Sequence, residues 1–237
     1  MSPEATVVLI TGAAGPAGRA AARRFAADGA RLVLVGRDRG RLDDVAAAAG
    51  LKDGAWLPVT ADLVDATEAR AVVGAAEARF GRVDVLLHLV GGWSGGTAVV
   101  DLDASDVRSM LDQHLWTTFH IAQAVVPGMT ARGSGRILGV TTPFAANPGP
   151  RGAAYAVAKA AEEALLRSLA REVGGAGVTA NLVVVRAIDA KHERETAPSP
   201  KNAAWVTPEE LADTLAFLAS PEAAAINGAR VTLDGRA

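Results

Sequence analysis

The segment AAYAVAKAA places Tyr155 and Lys159 four residues apart, a spacing that brings two side chains to one face of a helix. A free tyrosine loses its proton only at about pH 10, too high for proton transfer at neutral pH. Since a neighbouring ammonium favours the phenolate, Lys159 is expected to lower the pKa of Tyr155. Such a pair protonates an alkoxide or deprotonates an alcohol. Taken alone, it also fits two ordinary neighbours on a helix surface.

A glycine-rich turn follows the first apolar run. The segment TGAAGPAG carries Gly12, Gly15 and Gly18 at intervals of three and precedes an alanine-rich stretch with a helical pattern. Glycines in this place permit a tight turn and let a phosphate approach the backbone. Pro16 removes one amide donor but suits the first position of a helix, which leaves the amides of Ala17 and Gly18 for a ligand. The turn predicts a dinucleotide site; the alternative is a strand-to-helix turn without a ligand.

The residues at the end of the second apolar run indicate which dinucleotide binds. Gly36 occupies the position where an NAD site needs a carboxylate, and Arg37 follows it. A guanidinium suits the 2′-phosphate of NADP in both charge and geometry, so the residues favour NADP. NAD remains an alternative because Asp38 lies near the expected separation from the glycine turn. A solvated basic turn is the other alternative.

Short apolar runs alternate with longer helical patterns along the whole chain, and no linker or internal repeat divides it. Several runs are apolar almost throughout, as strands covered on both faces must be. The alternation predicts a Rossmann-type α/β fold, a doubly wound parallel sheet of about seven strands with helices on both faces, in one domain over 1–237. The predicted strands are 6–11, 31–36, 55–60, 83–90, 136–142, 178–185 and 230–234; the predicted helices are 17–28, 39–49, 66–80, 104–131, 152–173 and 208–219; and 190–205 is predicted to be a mobile loop.

Composition excludes several classes of protein. The 237 residues include no cysteine, which rules out disulfides, thiolate nucleophiles and cysteine-bound zinc, and the four histidines lack metal-ligand spacing. A net charge of -2 gives no broad basic field for nucleic acid. No apolar stretch approaches the length of a membrane span, and the N-terminal residues do not resemble a signal peptide. We therefore expect a cytoplasmic protein without a metal, a nucleic-acid partner or a membrane partner.

In the context of these motifs, the sequence resembles the short-chain dehydrogenase/reductase (SDR) family over essentially its whole length. The matching segments are the glycine turn, GRD after the second strand, TADL after the third, DVLLHLVGG at the fourth, and GRILGVTT ahead of AAYAVAK. The resemblance implies that Tyr155 is the proton donor and that Lys159 binds the nicotinamide ribose and depresses the tyrosine pKa. Thr142 stands where the family has a serine that hydrogen-bonds the substrate carbonyl, and it keeps the hydroxyl.

The resemblance also implies where cofactor and substrate bind. Trp93, in the segment GGWSGG, and Phe144 are expected to face a small or medium carbonyl or alcohol substrate, although Trp93 equally suits packing. As in the family, a homo-oligomer, either a tetramer or a dimer, is expected through the helices 104–131 and 152–173. The implied cofactor positions are Gly12, Gly15, Pro16, Ala17, Gly18, Arg37, Asp62, Leu63, His88, Val90, Gly91, Tyr155, Lys159 and Ile188.

Four places depart from the family pattern. They are Pro16 in the glycine turn, HLVG in place of NNAG after the fourth strand, His114 in place of a helix asparagine that supports a water-mediated proton relay, and Val185-Arg186 in place of PG. An imidazole donates and accepts hydrogen bonds and titrates near neutrality, so His114 is either a relay group or a packed helix residue. Three alternatives follow for the Arg186 side chain: it contacts an anionic substrate, a cofactor phosphate or solvent.

The sequence supports two hypotheses that assign the protein to different functional classes. The leading hypothesis is an NADP-dependent oxidoreductase that uses Tyr155, Lys159, Thr142 and His114 to move a proton while a hydride passes between nicotinamide and a carbonyl carbon. Because four cofactor- or relay-lining places differ from the family, the alternative is a catalytically impaired protein that binds the dinucleotide as a sensor or regulatory partner.

Overall fold

The computed structural model describes residues 5–235, which form one sheet of seven strands with every strand pair parallel. The strands are β1 Val7–Thr11, β2 Arg31–Gly36, β3 Trp56–Thr60, β4 Val85–His88, β5 Gly135–Thr141, β6 Val178–Val185 and β7 Arg230–Leu233. Their order across the sheet is β3-β2-β1-β4-β5-β6-β7. Every residue of β1, β4 and β6 is buried, as expected of largely apolar strands that are covered on both faces. The predicted parallel sheet is confirmed.

Helices cover both faces of the sheet. They are α1 Pro16–Ala27, α2 Arg39–Ala48, α3 Ala66–Phe80, α4 Ala104–Leu111, α5 Thr117–Arg132, α6 Ala153–Val173, α7 Glu193–Thr196 and α8 Pro208–Ala219. Since successive strand residues point to opposite faces, β1 sends Val7 and Leu9 into the core under α3, α5 and α6. Val8 and Ile10 enter the core under α1, α2 and α8. The doubly wound arrangement is thus built from two apolar layers on one sheet.

A crevice opens at the carboxyl end of the sheet, between β1 and β4. The chain runs outward from β1 to β3 and then returns to place β4 on the other side of β1. At such a reversal the connections that follow the two strands leave in opposite directions, and ligands of doubly wound proteins bind in the space between them. Thr11 and His88, the last residues of the two strands, pair in register. The glycine turn and the segment after β4 therefore border the crevice.

The region 104–131, predicted as one helix, consists of α4 and α5 joined by a wider turn. The residues Asp112–Trp116 form this π-helical turn, and the Thr117 hydroxyl stabilises it by donating to the carbonyl oxygen of Gln113 at 2.7 Å. Such turns disturb the regular side-chain spacing of a helix and often occur at functional sites. This one carries His114 towards the crevice side of the molecule.

The segment 190–205, predicted as a loop, contains the short helix α7 and is tied to the rest of the chain. The carboxylate of Asp189 caps this helix by accepting from the Arg194 amide at 2.8 Å. The Arg194 side chain is buried and pairs with Glu210 of α8. The prediction of an irregular segment is corrected at these points.

Across residues 5–235, no helix has the length and apolar character that crossing a membrane requires. Within the same range, no three side chains of metal-ligating type are grouped so as to hold a metal ion.

Candidate active site

Two adjoining cavities form one groove along the crevice. The first has a volume of about 500 Å³ and the second of about 490 Å³. They share Gly15, Leu89, Val90 and Gly91, which belong to the glycine turn and to the segment after β4. Each volume is in the range of small-molecule sites, so the groove suits a ligand with two bulky ends.

Glycine is required at Gly12 and Gly18 because backbone atoms of other residues approach these two positions closely. Gly12 has a φ of +66°, and a Cβ atom there would lie 2.5 Å from the carbonyl oxygen of Leu89. A Cβ atom at Gly18 would lie 2.5 Å from the carbonyl oxygen of Gly12. At Gly15 the only near atom is that same oxygen, at 3.3 Å. The first and third glycines therefore shape the turn, and the second leaves its surface open to the groove.

Pro16 starts α1, as the sequence predicts, and Gly15 precedes it in an extended conformation. Helical hydrogen bonding begins where the Arg19 amide donates to the Gly15 carbonyl oxygen at 2.9 Å. The amides of Ala17 and Gly18 have no acceptor among the described residues, and both residues line the first cavity. These two donors and the positive end of the helix fit a phosphate group.

The second cavity carries the basic side chains. The Arg41 guanidinium donates to a carbonyl oxygen of the glycine turn at 3.3 Å, and Arg39, which lies outside this cavity, is engaged by Asp43 at 2.9 Å. The carboxylate of Asp38 caps α2 by accepting from the Arg41 amide at 3.1 Å. Of the basic side chains that line this cavity in the described chain, Arg37 alone has no protein partner. An exposed, unpaired guanidinium therefore faces this end of the groove.

Three groups with the chemistry of proton transfer line the first cavity. Thr142 directly follows β5, Tyr155 lies in the first turn of α6, and Lys159 lies one turn further along α6. Tyr155 is half-buried and hydrogen-bonded to the Thr142 side chain, whereas Lys159 and Thr142 are buried. The helix spacing of Tyr155 and Lys159 thus brings both side chains to the same cavity.

The surroundings of Tyr155 raise its pKa to about 12. Burial is the largest cause, the negative charge of Glu162 is the second, and the hydrogen bond from Thr142 opposes both. The Lys159 ammonium donates to Glu162 Oε2 at 2.6 Å and to the Val140 carbonyl oxygen at 2.7 Å. The pKa of Tyr155 is thus raised rather than lowered in this structure, first by burial and then by the charge of Glu162, while the Lys159 ammonium is engaged by that same carboxylate.

His114 packs edge to face against Tyr155, with ring centroids 5.5 Å apart. Its Nε2 donates to the carbonyl oxygen of Gly92 at 3.0 Å, while the buried Nδ1 has no hydrogen bond and lies 3.7 Å from Glu162 Oε2. Burial and then the charge of Lys159 lower the pKa of His114 to about 3, so the imidazole is neutral at pH 7. The imidazole is therefore packed with one nitrogen hydrogen-bonded, and its contact with Glu162 is not an ion pair.

His88, a cofactor residue by resemblance, lines neither cavity. Its Nδ1 lies 2.9 Å from the Thr11 hydroxyl and its Nε2 lies 3.3 Å from the Thr117 hydroxyl. Since Thr117 donates its own proton to Gln113, it accepts from Nε2, and the imidazole is satisfied as a neutral ring. Complete burial lowers the pKa of His88 to about 3. The structure thus gives His88 a packing role under the crevice floor.

The chain is similar to known proteins in both sequence and structure. A family model described as Enoyl-(Acyl carrier protein) reductase matches residues 12–235. The chain belongs to the SDR family. The D-threitol dehydrogenase of Mycolicibacterium smegmatis is 31% identical to it over 97% of this chain and 91% of the relative. The BbsC subunit of the hydroxy(phenyl)methylsuccinyl-CoA dehydrogenase of Thauera aromatica is 32% identical over 94% of this chain and 90% of the relative.

A solved structure agrees with this assignment. The crystal structure of the 3-ketoacyl-(acyl-carrier-protein) reductase of Brucella melitensis, complexed with NADH, is 27% identical and has a TM-score of 0.88, covering 98% of each chain. The SDR family binds a nicotinamide dinucleotide, and these homologues indicate an SDR oxidoreductase that acts on small molecules.

In this SDR chain the groove gathers every sequence-predicted site residue except His88. The first cavity is lined by Gly15, Pro16, Ala17, Gly18, Val90, Gly91, Trp93, His114, Thr142, Phe144, Tyr155, Lys159 and Ile188. The second is lined by Gly12, Arg37, Asp62 and Leu63, together with the shared Gly15, Val90 and Gly91.

The mouth of the first cavity is aromatic. Trp93 is 66% exposed, and its ring lies so close to Gly95 that a Cβ atom there would be 2.6 Å from the indole. Phe144, which lines the same cavity, packs against Gly152. The exposed guanidinium of Arg186 also lines this cavity. A substrate would meet two apolar faces and one cation here.

Sequence reasoning missed Glu162 and Gln113. Glu162 lies three residues after Lys159 and seven after Tyr155, which is the same helix face, and this spacing is a signal that was present in the segment KAAEE. The Gln113 side chain donates to the Gly91 carbonyl oxygen at 2.7 Å and so fixes the wall shared by the two cavities. No local pattern marks it, because its partner lies on a different element.

Proposed function

We propose that this SDR chain is a cytoplasmic NADP-dependent oxidoreductase acting on a small or medium carbonyl or alcohol. The observation that carries the proposal is that Tyr155, Thr142 and Lys159 line one end of a groove whose other end carries Arg37. The glycine turn lies between the two ends. This order of groups matches the order of nicotinamide, pyrophosphate and adenosine in a dinucleotide.

The residues of the groove fit NADP. The amides of Ala17 and Gly18 suit the pyrophosphate, and the unpaired Arg37 suits the 2′-phosphate. Asp38 already serves as the cap of α2, which weakens it as a partner for the ribose hydroxyl of NAD. When bound, the nicotinamide supplies or accepts the hydride.

The reactive residues have separate roles. The Tyr155 hydroxyl gives its proton to the oxygen of the carbonyl being reduced, and Thr142 orients that oxygen by hydrogen bonding. Lys159 lines the same end of the groove, where Glu162 and the Val140 carbonyl oxygen hold its ammonium. Trp93 and Phe144 supply apolar surface to the substrate and exclude water.

A coenzyme titration tests the NADP assignment. The affinities of NADPH and NADH are measured by fluorescence for the wild type, Arg37→Ala and Arg39→Ala. We expect the wild type to bind NADPH more tightly than NADH, and Arg37→Ala to lose about 1.5–3 kcal/mol of NADPH binding with little change for NADH. Arg39→Ala is the matched control, because its guanidinium is engaged by Asp43 and lies outside the groove lining. Equal NADPH losses in both variants would contradict the assignment.

Turnover separates an enzyme from a dinucleotide sensor. NADPH oxidation is followed with a panel of ketones and aldehydes, and alcohol oxidation with NADP. Turnover of at least one carbonyl supports the proposal. Binding of NADPH without turnover on the whole panel favours the sensor, and no binding of either nucleotide contradicts both.

The chain is also proposed to form a homo-oligomer. Trp116 and Val157, on the two helical regions through which the family resemblance implies subunit contacts, are 43% and 50% exposed. Large apolar side chains in such a position fit a subunit interface. Light scattering after size exclusion tests this, and a monomer at micromolar concentration would contradict it.

A further inference from the structure

An arginine without a protein partner lines the first cavity. Arg186 directly follows β6, and its side chain is exposed. Within residues 5–235, no hydrogen bond or ion pair engages its guanidinium. The side chain therefore contributes no bond to the fold, and its donors are available to a ligand in the cavity.

The charges around the first cavity are unbalanced. Among the described residues that line it, none is acidic, and the two that carry a full charge are Lys159 and Arg186. The Lys159 ammonium is compensated by the buried carboxylate of Glu162, which accepts from it at 2.6 Å. Arg186 has no such counter-ion. The cavity therefore carries one uncompensated positive charge, which favours an anionic group on the molecule that fills it.

The backbone next to Arg186 is held in place. The Val206 amide donates to the Ala187 carbonyl oxygen at 3.0 Å, and the Asp189 amide donates to the Val206 carbonyl oxygen at 2.7 Å. These bonds form a parallel bridge directly after Arg186. Since β6 fixes the chain on the other side, the arginine has a defined place at the cavity, as a residue that selects a ligand requires.

A flat apolar surface lines the same cavity. Trp93 is 66% exposed and lies on a segment that is held at both ends. At one end, Gln113 donates to the Gly91 carbonyl oxygen at 2.7 Å. At the other, the Gly96 amide donates to the Arg151 carbonyl oxygen at 2.7 Å. A ligand beside the proton-transfer groups thus meets an indole face as well as a guanidinium.

We propose that Arg186 determines specificity by binding a carboxylate of the substrate, and that the substrates are oxo acids, or the corresponding hydroxy acids, that carry a flat apolar group. This inference rests on the proposed function and names the substrate class for it. A carboxylate is favoured over a phosphate ester because one guanidinium balances its single charge and matches its two oxygens. Reduction of such an oxo acid by NADPH converts the carbonyl to an alcohol, with the proton supplied by Tyr155, and leaves the carboxylate unchanged.

Matched pairs of acid and ester test the proposal. Phenylglyoxylate, 4-oxo-4-phenylbutanoate and 4-acetylbenzoate separate carboxylate and carbonyl by different lengths, and their methyl esters lack the charge. We expect the wild type to prefer one of the acids to its ester by about 10-fold or more in kcat/KM. Arg186→Gln should lower kcat/KM for that acid by about 10–100-fold, mainly through KM, and change the ester less than about threefold.

Lys191→Gln is the matched control. Lys191 is an exposed cation on the same segment and lines neither cavity, so its removal changes the net charge equally but should leave the preference for the acid intact. Because Arg186 is exposed and unpaired, Arg186→Gln is expected to fold. Calorimetric titration of the NADP complex with the same acids measures binding without turnover, and the variant should bind the preferred acid about 10-fold or more weakly.

The affinity for NADPH separates a substrate contact from a cofactor contact. Arg186→Gln should bind NADPH as tightly as the wild type, whereas a loss as large as that for the acid would place the guanidinium at a cofactor phosphate and overturn the inference. Equal losses for an acid and its ester, or for Arg186→Gln and Lys191→Gln, would also overturn it. A wild type that reduces neutral carbonyls but neither binds nor reduces the acids would overturn this inference alone. Absence of NADPH binding by the wild type would overturn the proposed function.

Discussion

Replacing His88 by asparagine should make the protein less sensitive to acid. His88 is buried, is satisfied as a neutral ring by Thr11 and Thr117, and has a pKa lowered from 6.5 to about 3. Because the unfolded chain binds the proton at a higher pH than the folded chain, the stabilising contribution is present above pH 6.5 and is lost as the pH falls. Asparagine keeps hydrogen-bonding capacity at this position and does not titrate.

The size of the effect follows from the two pKa values. Between pH 7 and pH 5, a histidine that titrates at 6.5 when unfolded and at about 3 when folded loses about 2 kcal/mol of folding free energy. His114 has the same shift, so the two together lose about 4 kcal/mol in the wild type. Glu162 acts in the opposite sense, because its raised pKa favours the folded state towards lower pH. Glu162 is present in both proteins, so the difference between them isolates His88.

The assay is urea unfolding followed by tryptophan fluorescence at pH 7 and pH 5, with linear extrapolation to water. The loss of unfolding free energy between the two pH values should be about 2 kcal/mol smaller in His88→Asn than in the wild type. His192→Asn is the control, since His192 is 43% exposed and pairs with Glu209 at the surface, where such pairs contribute little. An identical pH dependence in His88→Asn and the wild type would refute the reasoning.

Two further substitutions test the turn and the reactive end of the groove. Gly18→Ala should lower stability by about 1–3 kcal/mol, because its Cβ would lie 2.5 Å from a backbone oxygen, whereas Gly15→Ala, with its nearest contact at 3.3 Å, should lower stability less. Thermal unfolding measures both variants, and equal losses of stability would contradict the account. Thr142→Val should reduce kcat by about 10²-fold through loss of its hydroxyl, and Thr142→Ser should retain activity; a Val variant as active as the Ser variant would exclude that role.

The architecture was predictable because its determinants are local. Continuous apolar strands such as β1 and β6 separated by helical periodicity indicate a parallel sheet covered on both faces. The glycine turn was also predictable, since the positive φ of Gly12 and the contact of Gly18 with Gly12 arise within the turn, although the approach of Leu89 to Gly12 does not. The π-helical turn at Asp112–Trp116 was missed because the sequence keeps a helical pattern through it.

The pKa of Tyr155 was expected to be lowered and is raised, because burial and the charge of Glu162 outweigh the effect expected from Lys159. The Tyr155–Lys159 spacing correctly indicates a shared helix face, but not that the ammonium is engaged by Glu162 and by a carbonyl oxygen of β5. The pKa of His114 is similarly set by burial under the crevice, which no pattern around that residue reveals. The helix spacing identified the Tyr155–Lys159 neighbours, whereas the contacts of His114 and the burial of the site arise from the tertiary fold.

The most direct test of the central claim is the reduction rate of Tyr155→Phe with the best carbonyl substrate of the panel. Phenylalanine keeps the ring that packs against His114 and removes only the hydroxyl. We predict that NADPH binding stays close to the wild type while kcat at pH 7 falls by about 10²–10⁴-fold, the contribution expected of a positioned proton donor. A Tyr155→Phe variant that reduces the same substrate as fast as the wild type would contradict the claim that this hydroxyl supplies the proton.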